Sequence, residues 1–299
     1  MGAKADISLT VLGRPTAARN THPLRILLRK SPVGALSLLI LVCVVCVAVL
    51  APVLAPYDPL STNMSVARQP PSAAHWLGTD HLGRDALSRL IYGTRITLVV
   101  VLSSVLIGDG IGFIWGLASG YIGGRFDLLG QRLLDVKMAF PSLILAMLLL
   151  AGLGSGLPTV IIAIAITRIP LTTRTIRSVV LSIKQMPYVE AAESIGATKW
   201  RIATRHIMPQ CIAPLLVVVS FSLGTAIFTE AALSFLGVGV PPPAPSWGSM
   251  LSGVLADSFK PQWWLVLFPG LAITITITAA NLLGDALRDL LDPRLRQRM

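Results

Sequence analysis

Long apolar runs recur along the chain between shorter polar stretches, and runs of this length predict membrane-spanning helices. They fall at about Val33 to Leu54, Ile96 to Gly120, Met138 to Leu153, Leu157 to Thr173, Ile212 to Leu236 and Trp263 to Leu283, which predicts six spans. The first is long enough to cross about 30 Å of hydrocarbon, and too long and too late in the chain for a cleaved signal peptide. Gly108, Gly110, Gly112 and Gly116 interrupt the second span, and Gly154-Ser155-Gly156 separates the third from the fourth. Residues 56–95 are polar and turn-rich, and a Pro-rich loop links the last two spans. Ile273 to Thr278 alternates Ile and Thr with the period of a strand. An open strand cannot satisfy its backbone in lipid, so helix is expected there too. The predicted class is an all-α polytopic membrane protein with membrane lipid as its surroundings.

Composition agrees. Of the 299 residues 54% are hydrophobic and 13% charged, with mean hydropathy +0.73; a soluble domain carries about 25% charged residues. The formal charge of +11 forms no basic stripe interleaved with aromatics, so no nucleic-acid partner is expected. An even number of spans puts both ends on one side. That side holds 20 of the 25 Lys and Arg, and the other holds Arg68, Arg84, Arg89, Arg95 and Lys260. The positive-inside rule therefore predicts cytoplasmic N- and C-termini. Cys43, Cys46 and Cys211 lie in apolar runs. The C-x-x-C of the first two has no second pair or nearby His, so small packing residues are expected rather than a redox or metal site.

The polar stretch Glu190-Ala191-Ala192-Glu193-Ser194-Ile195-Gly196-Ala197-Thr198-Lys199-Trp200-Arg201-Ile202 continues through His206 to Pro209. It predicts two short helices, Tyr188 to Ile195 and Ala197 to Arg205, with Gly196 taking the positive φ between them. The elbow suits docking on a soluble partner; an ordinary amphipathic loop helix is the alternative. Its pattern resembles the cytoplasmic EAA loop of ABC importer membrane subunits. Two more segments, His75-Trp76-Leu77-Gly78-Thr79-Asp80-His81-Leu82-Gly83-Arg84-Asp85 and Leu287-Arg288-Asp289-Leu290-Leu291-Asp292-Pro293-Arg294, resemble the "C" membrane subunit of the dipeptide/oligopeptide permease family, which includes nickel permeases.

That resemblance implies a type I ABC importer permease fold in the bacterial cytoplasmic membrane. It divides the chain into a basic cytoplasmic tail (1–32), a first transmembrane helix with an external loop (33–95), a transporter core (96–285) and a cytoplasmic C-terminal segment (286–299). It also implies a homologous "B" permease subunit, two cytoplasmic ATPase subunits and an extracytoplasmic solute-binding protein. Glu190, Ala191, Ala192, Gly196, Ala197, Ile202, His206 and Pro209 then form the ATPase-coupling loop.

In the external motif, Asp80 and Asp85 are expected to cap turns or helix starts, with Arg84 pairing with either. A metal or catalytic site from His75, Asp80, His81 and Asp85 is the alternative. Asp109 and Glu230 lie within spans, where a charge normally faces protein or water. They line a translocation path, with Asn281, or make hydrogen-bonded packing contacts. The sequence has no phosphate loop, H-E-x-x-H or G-x-S-x-G, so no catalytic residue and no metal or cofactor is assigned. ATP and Mg belong to the partner ATPases. The expected substrate is a short peptide, with nickel, glutathione or another solute as the same-class alternative and a channel or intramembrane enzyme as the remote one.

Overall fold

A computed structural model describes residues 31–255 and 262–291. The basic tail, Lys260 and the segment holding Asp292, Pro293 and Arg294 lie outside the described residues. Among those described, every regular element is helical. Helix α1 (Pro32–Val49) starts with Pro at its first position and Ser31 Oγ accepting from the Gly34 N–H at 3.1 Å. After it come a short α2 (Ala51–Leu54), α3 (Ala86–Ile122), α4 (Gly124–Met138), α5 (Ser142–Leu153) and α6 (Leu157–Ile183). The elbow is α7 (Pro187–Ser194) and α8 (Lys199–Ile202), then a π turn (Ala203–Ile207) leading into α9 (Met208–Phe235). The chain closes with α10 (Trp247–Leu255) and α11 (Trp263–Leu291).

Five of these elements are long and apolar enough to cross a membrane, and the bent pair α4–α5 makes a sixth if counted as one span. The predicted third span is thus broken. The pair bends by 90° at Pro141, and α5 alone has 12 residues, about 18 Å of helix against the ~30 Å of a bilayer core. The basic loop expected around Arg125, Arg132 and Lys137 is helix α4 instead.

Two other boundaries move. The second span begins at Ala86, because Asp85 Oδ2 accepts from the Ser88 N–H (2.8 Å) and hydroxyl (2.7 Å) and caps the helix. The fourth runs on to Ile183, since Arg168, Arg174 and Arg177 each find a polar partner. Arg168, one of the 20 Lys and Arg counted on the cytoplasmic side, consequently lies mid-helix; one residue's move leaves the charge asymmetry intact. The Ile-Thr alternation is helical, with Thr274 and Thr276 hydroxyls donating to Gly270 and Ala272 carbonyls at 2.8 and 2.7 Å.

Helices α3 and α6 pack most closely. Gly108, Gly112, Gly116 and Gly120 recur every four residues, forming one stripe along α3. A Cβ at these positions would stand 2.5 Å from Ala165 O, 2.8 Å from Thr172 Cβ, 2.6 Å from Thr173 O and 2.8 Å from Val180 Cβ, respectively. Gly110, which stands among the same glycines in the sequence, faces open space. The main core gathers Val100, Val101, Val105, Ile164, Ile227, Leu233 and Trp247. A second cluster, Ile176, Val180, Val189, Ile202, Ile207 and Cys211, seats the elbow on α6 and α9.

Candidate functional site

The elbow turns at Gly196, which has φ +81. Its N–H donates to Glu193 O at 2.9 Å and the Ala197 N–H to Ala192 O at 3.1 Å, the paired bonds that close a helix through a left-handed residue. A Cβ at Gly196 would meet nothing, so the backbone angle, not space, requires glycine. Thr198 Oγ1 accepts from the Arg201 N–H at 3.3 Å and starts α8.

The two faces of the elbow differ. Ala192 and Ile202 are buried, Ala197 and His206 half-buried, and Glu190, Ala191, Gly196 and Pro209 exposed. Ile195 and Trp200 are 86% and 79% exposed. Beside them Glu190, Glu193, Lys199, Arg201 and Arg205 reach solvent. This surface, apolar at its centre and charged around it, is left uncovered by the described residues. Sequence reasoning gave Ile195 and Trp200 no role, although two large apolar residues flanking Gly196 in a basic stretch were a usable signal.

Two ion pairs tie α4 to the helix that feeds the elbow. Arg177 Nε donates to Asp127 Oδ1 at 2.6 Å, and Arg174 pairs with Asp135. Ser119 and Arg177 both donate to Asp127, so the end of α3 joins the same knot.

Asp109, Glu230 and Asn281 fall in three separate settings. Asp109, 1% exposed, lies on the α3 side of the glycine stripe, where Thr172 Oγ1 donates to its Oδ1 at 2.6 Å. Arg168 Nε stands 4.0 Å from the same oxygen, while the Arg168 Nη groups donate to Ser222 and Thr225 on α9. Glu230 is 0% exposed. Its oxygens accept from Thr97 on α3 (3.2 Å) and from Ser234 (2.8 Å). The Trp247 N–H donates to the same Thr97 hydroxyl at 3.4 Å, so this cluster holds the start of α10. Half-buried Asn281 packs its side chain on Gly224, where a Cβ would lie 2.7 Å from Oδ1.

The external motif is a folded linker. Asp80 Oδ1 accepts from the N–H groups of Leu82 and Arg84, both at 2.9 Å, and Oδ2 accepts from Arg84 Nε at 2.6 Å. His75 Nδ1 lies 2.9 Å from Asp85 Oδ1. Gly78 and Gly83 have φ +76 and +73, and Trp264 Nε1 donates to Thr79 O at 3.3 Å. Among the described residues no group of three His, Cys, Asp or Glu is placed to hold a metal.

The family described as "binding-protein-dependent transport system inner membrane component" matches residues 112–297. The "N-terminal TM domain of oligopeptide transport permease C" matches residues 25–71. The chain is 42% identical over 270 residues to the oligopeptide transport system permease protein OppC of Bacillus subtilis, covering 90% of this chain and 88% of that one. It is 44% identical over 260 residues to the glutathione transport system permease protein GsiD of Pectobacterium atrosepticum, covering 86% of each. It is also 44% identical over 270 residues to the di/tripeptide transport system permease protein DppC of Pseudomonas aeruginosa, covering 88% of this chain and 89% of that one. Among solved structures, a chain of the MetNI methionine ABC transporter matches at 18% identity and a TM-score of 0.49, over 66% of this chain and 96% of that one.

Proposed function

The chain belongs to the family of binding-protein-dependent transport system inner membrane components, and from that premise we propose that it carries short peptides through the bacterial cytoplasmic membrane. It is a transport permease subunit of an ABC importer and not an enzyme. In our reading a homologous membrane subunit completes the pathway, two ATPase subunits bind ATP and Mg, and an external binding protein delivers the peptide. Both termini are cytoplasmic, on the positive-inside count.

The single observation that carries this reading is the elbow: a glycine-fixed corner with Trp200 and Ile195 exposed at its tip and its inner face packed on α6 and α9. Such a corner can seat in a groove of an ATPase and pass its motion to α9, because α8, the π turn and α9 follow without a gap. Glu190, Ala191, Ala192, Gly196, Ala197, Ile202, His206 and Pro209 form this coupling element. We assign the external motif around Gly78, Thr79, Asp80, Gly83, Arg84 and Asp85 the role of rigid entry to α3. Glu230 is assigned to anchoring α10.

Peptide is favoured over other solutes by the relatives, two of which are named for oligopeptides or di/tripeptides. Glutathione is a second reading, supported by the relative named for it, and it too is a peptide-like solute. Deleting the gene should confer resistance to a toxic tripeptide and abolish uptake of labelled dipeptides. Unchanged peptide uptake with lowered glutathione import would replace peptide by glutathione, and lowered cellular nickel alone would replace it by the metal.

A further inference from the structure

We infer that Arg168 is a two-position tie whose transfer between α9 and Asp109 accompanies the sliding of α9 against the α3–α6 pair. The inference rests on the importer reading above.

A charge inside the membrane normally faces protein or water and is paired, and a buried ion pair holds only with good geometry and its remaining atoms satisfied. Here neither condition is met. Arg168 Nε and Asp109 Oδ1 are 4.0 Å apart, beyond the 2.7–3.2 Å of an N–H···O bond. Arg168 Nε and Asp109 Oδ2 are both buried without a hydrogen-bond partner. The pair is thus close enough to attract and too far to bond, and each member keeps one unsatisfied atom.

The reason is that the fork of Arg168 is held elsewhere. Its two Nη groups donate to the hydroxyls of Ser222 and Thr225, three residues apart on one face of α9. Those are neutral acceptors, and a bond to a carboxylate is roughly twice as strong. A side chain that takes the weaker acceptors while the stronger one stands about 1 Å out of range is held by the placement of α9. Withdrawing α9 by that amount would free the fork to close on Asp109 and satisfy both orphan atoms. Thr172, already donating to Asp109 Oδ1, leaves Oδ2 open to receive it.

Two features make this exchange directional. Asp109 and Thr172 lie at the close contact of α3 with α6, beside Gly108 and Gly112, so they move as one body. Ser222 and Thr225 lie on the helix that continues from the elbow. Arg168 therefore bridges the fixed body to the driven one, and it has acceptors for the state in which they separate. It is a positioning residue, since it acts through α9 and not on the solute.

The test uses the complete complex reconstituted in nanodiscs, with ATP hydrolysis measured with and without binding protein. The double variant S222A/T225V removes the clamp and should raise hydrolysis without binding protein about tenfold, equivalent to ~1.4 kcal/mol. D109N removes the charge of the second position and should lower stimulated hydrolysis by a similar factor. R168K keeps the charge but cannot bridge two hydroxyls, and should behave like S222A/T225V. A residue that merely stabilised the fold would move all three in the same direction, in step with complex yield, and that result overturns the inference. So does wild-type hydrolysis in R168K, the deciding result if D109N fails to assemble. Because the readout is ATP hydrolysis, a wild-type complex that imports no peptide would sink the substrate reading and leave this one decidable.

Discussion

Adding one methyl group to α3 tests the helix contact on which the architecture depends. An alanine Cβ at Gly116 would lie 2.6 Å from the Thr173 carbonyl oxygen and 3.0 Å from Ile176 Cβ, where ordinary contact begins at 3.4 Å. The obstructing atom is backbone in the middle of a helix and cannot rotate away, so α3 and α6 must part by about 0.8 Å at that level. Overpacking of this kind costs about 1–3 kcal/mol, offset by up to ~1 kcal/mol from replacing a helical glycine. Gly110 is the internal control, because a Cβ there meets nothing. Gly110→Ala keeps only the favourable part, so the two variants should differ by about 1–3 kcal/mol. Unfolding midpoints of the purified complex in detergent should show it, Gly116→Ala lying below wild type and Gly110→Ala at or above it. About 2–4 °C per kcal/mol is expected for a protein of this size. Equal shifts for the two variants would mean that Gly116 is not at the contact, and the close α3–α6 packing would have to be abandoned.

At the elbow, Gly196 should tolerate Asn best, Ala less well and Val worst, since a non-glycine residue at positive φ is strained by about 1–2 kcal/mol and branching adds to it. Peptide uptake measured in membranes with matched subunit levels should fall in that order, and full transport by Gly196→Val would refute the turn's role. For orientation, a cysteine placed at exposed Ser72 should label with an impermeant thiol reagent in intact cells and one at exposed Lys199 only after permeabilisation; the opposite pattern inverts the topology. Vesicles holding this chain and the ATPases without a second membrane subunit should import nothing, and robust ATP-driven uptake would rule out a heteromeric pathway.

The spans and the elbow could be read from the sequence because their causes are local. Apolar run length sets one, and Gly196 between two short amphipathic stretches sets the other. Positions fixed by distant partners could not be read. Arg168 fell inside the predicted fourth span, but its partners Ser222 and Thr225, which lie 54 and 57 residues on, could not be read there. For Glu230 the sequence left a path and a packing contact both open, and its donor Thr97 lies 133 residues away. The bend before α5 was signalled by Pro141, but a proline marks a break without giving its angle. The stripe through Gly120 was half visible. Its four-residue period separates the buried glycines from Gly110, and reading all the glycines as one group concealed that.

The unbroken course from Lys199 to Phe235 makes this stretch a 37-residue shaft, about 55 Å long. In a shaft, length and angular phase are locked together. Losing or gaining one residue between Thr198 and Glu230 would shorten or lengthen it by about 1.5 Å and turn its outer end by about 100°. Glu230 would then face away from Thr97, and the start of α10 would lose its anchor. The π turn at Ala203–Ile207 has already set that phase once, since a π turn holds more residues per hydrogen-bonded loop than an α turn. Descendants of this sequence are therefore free to vary the lengths of their loops, but the residue count along this shaft behaves as a gear ratio, in which a change of one tooth disengages the two ends.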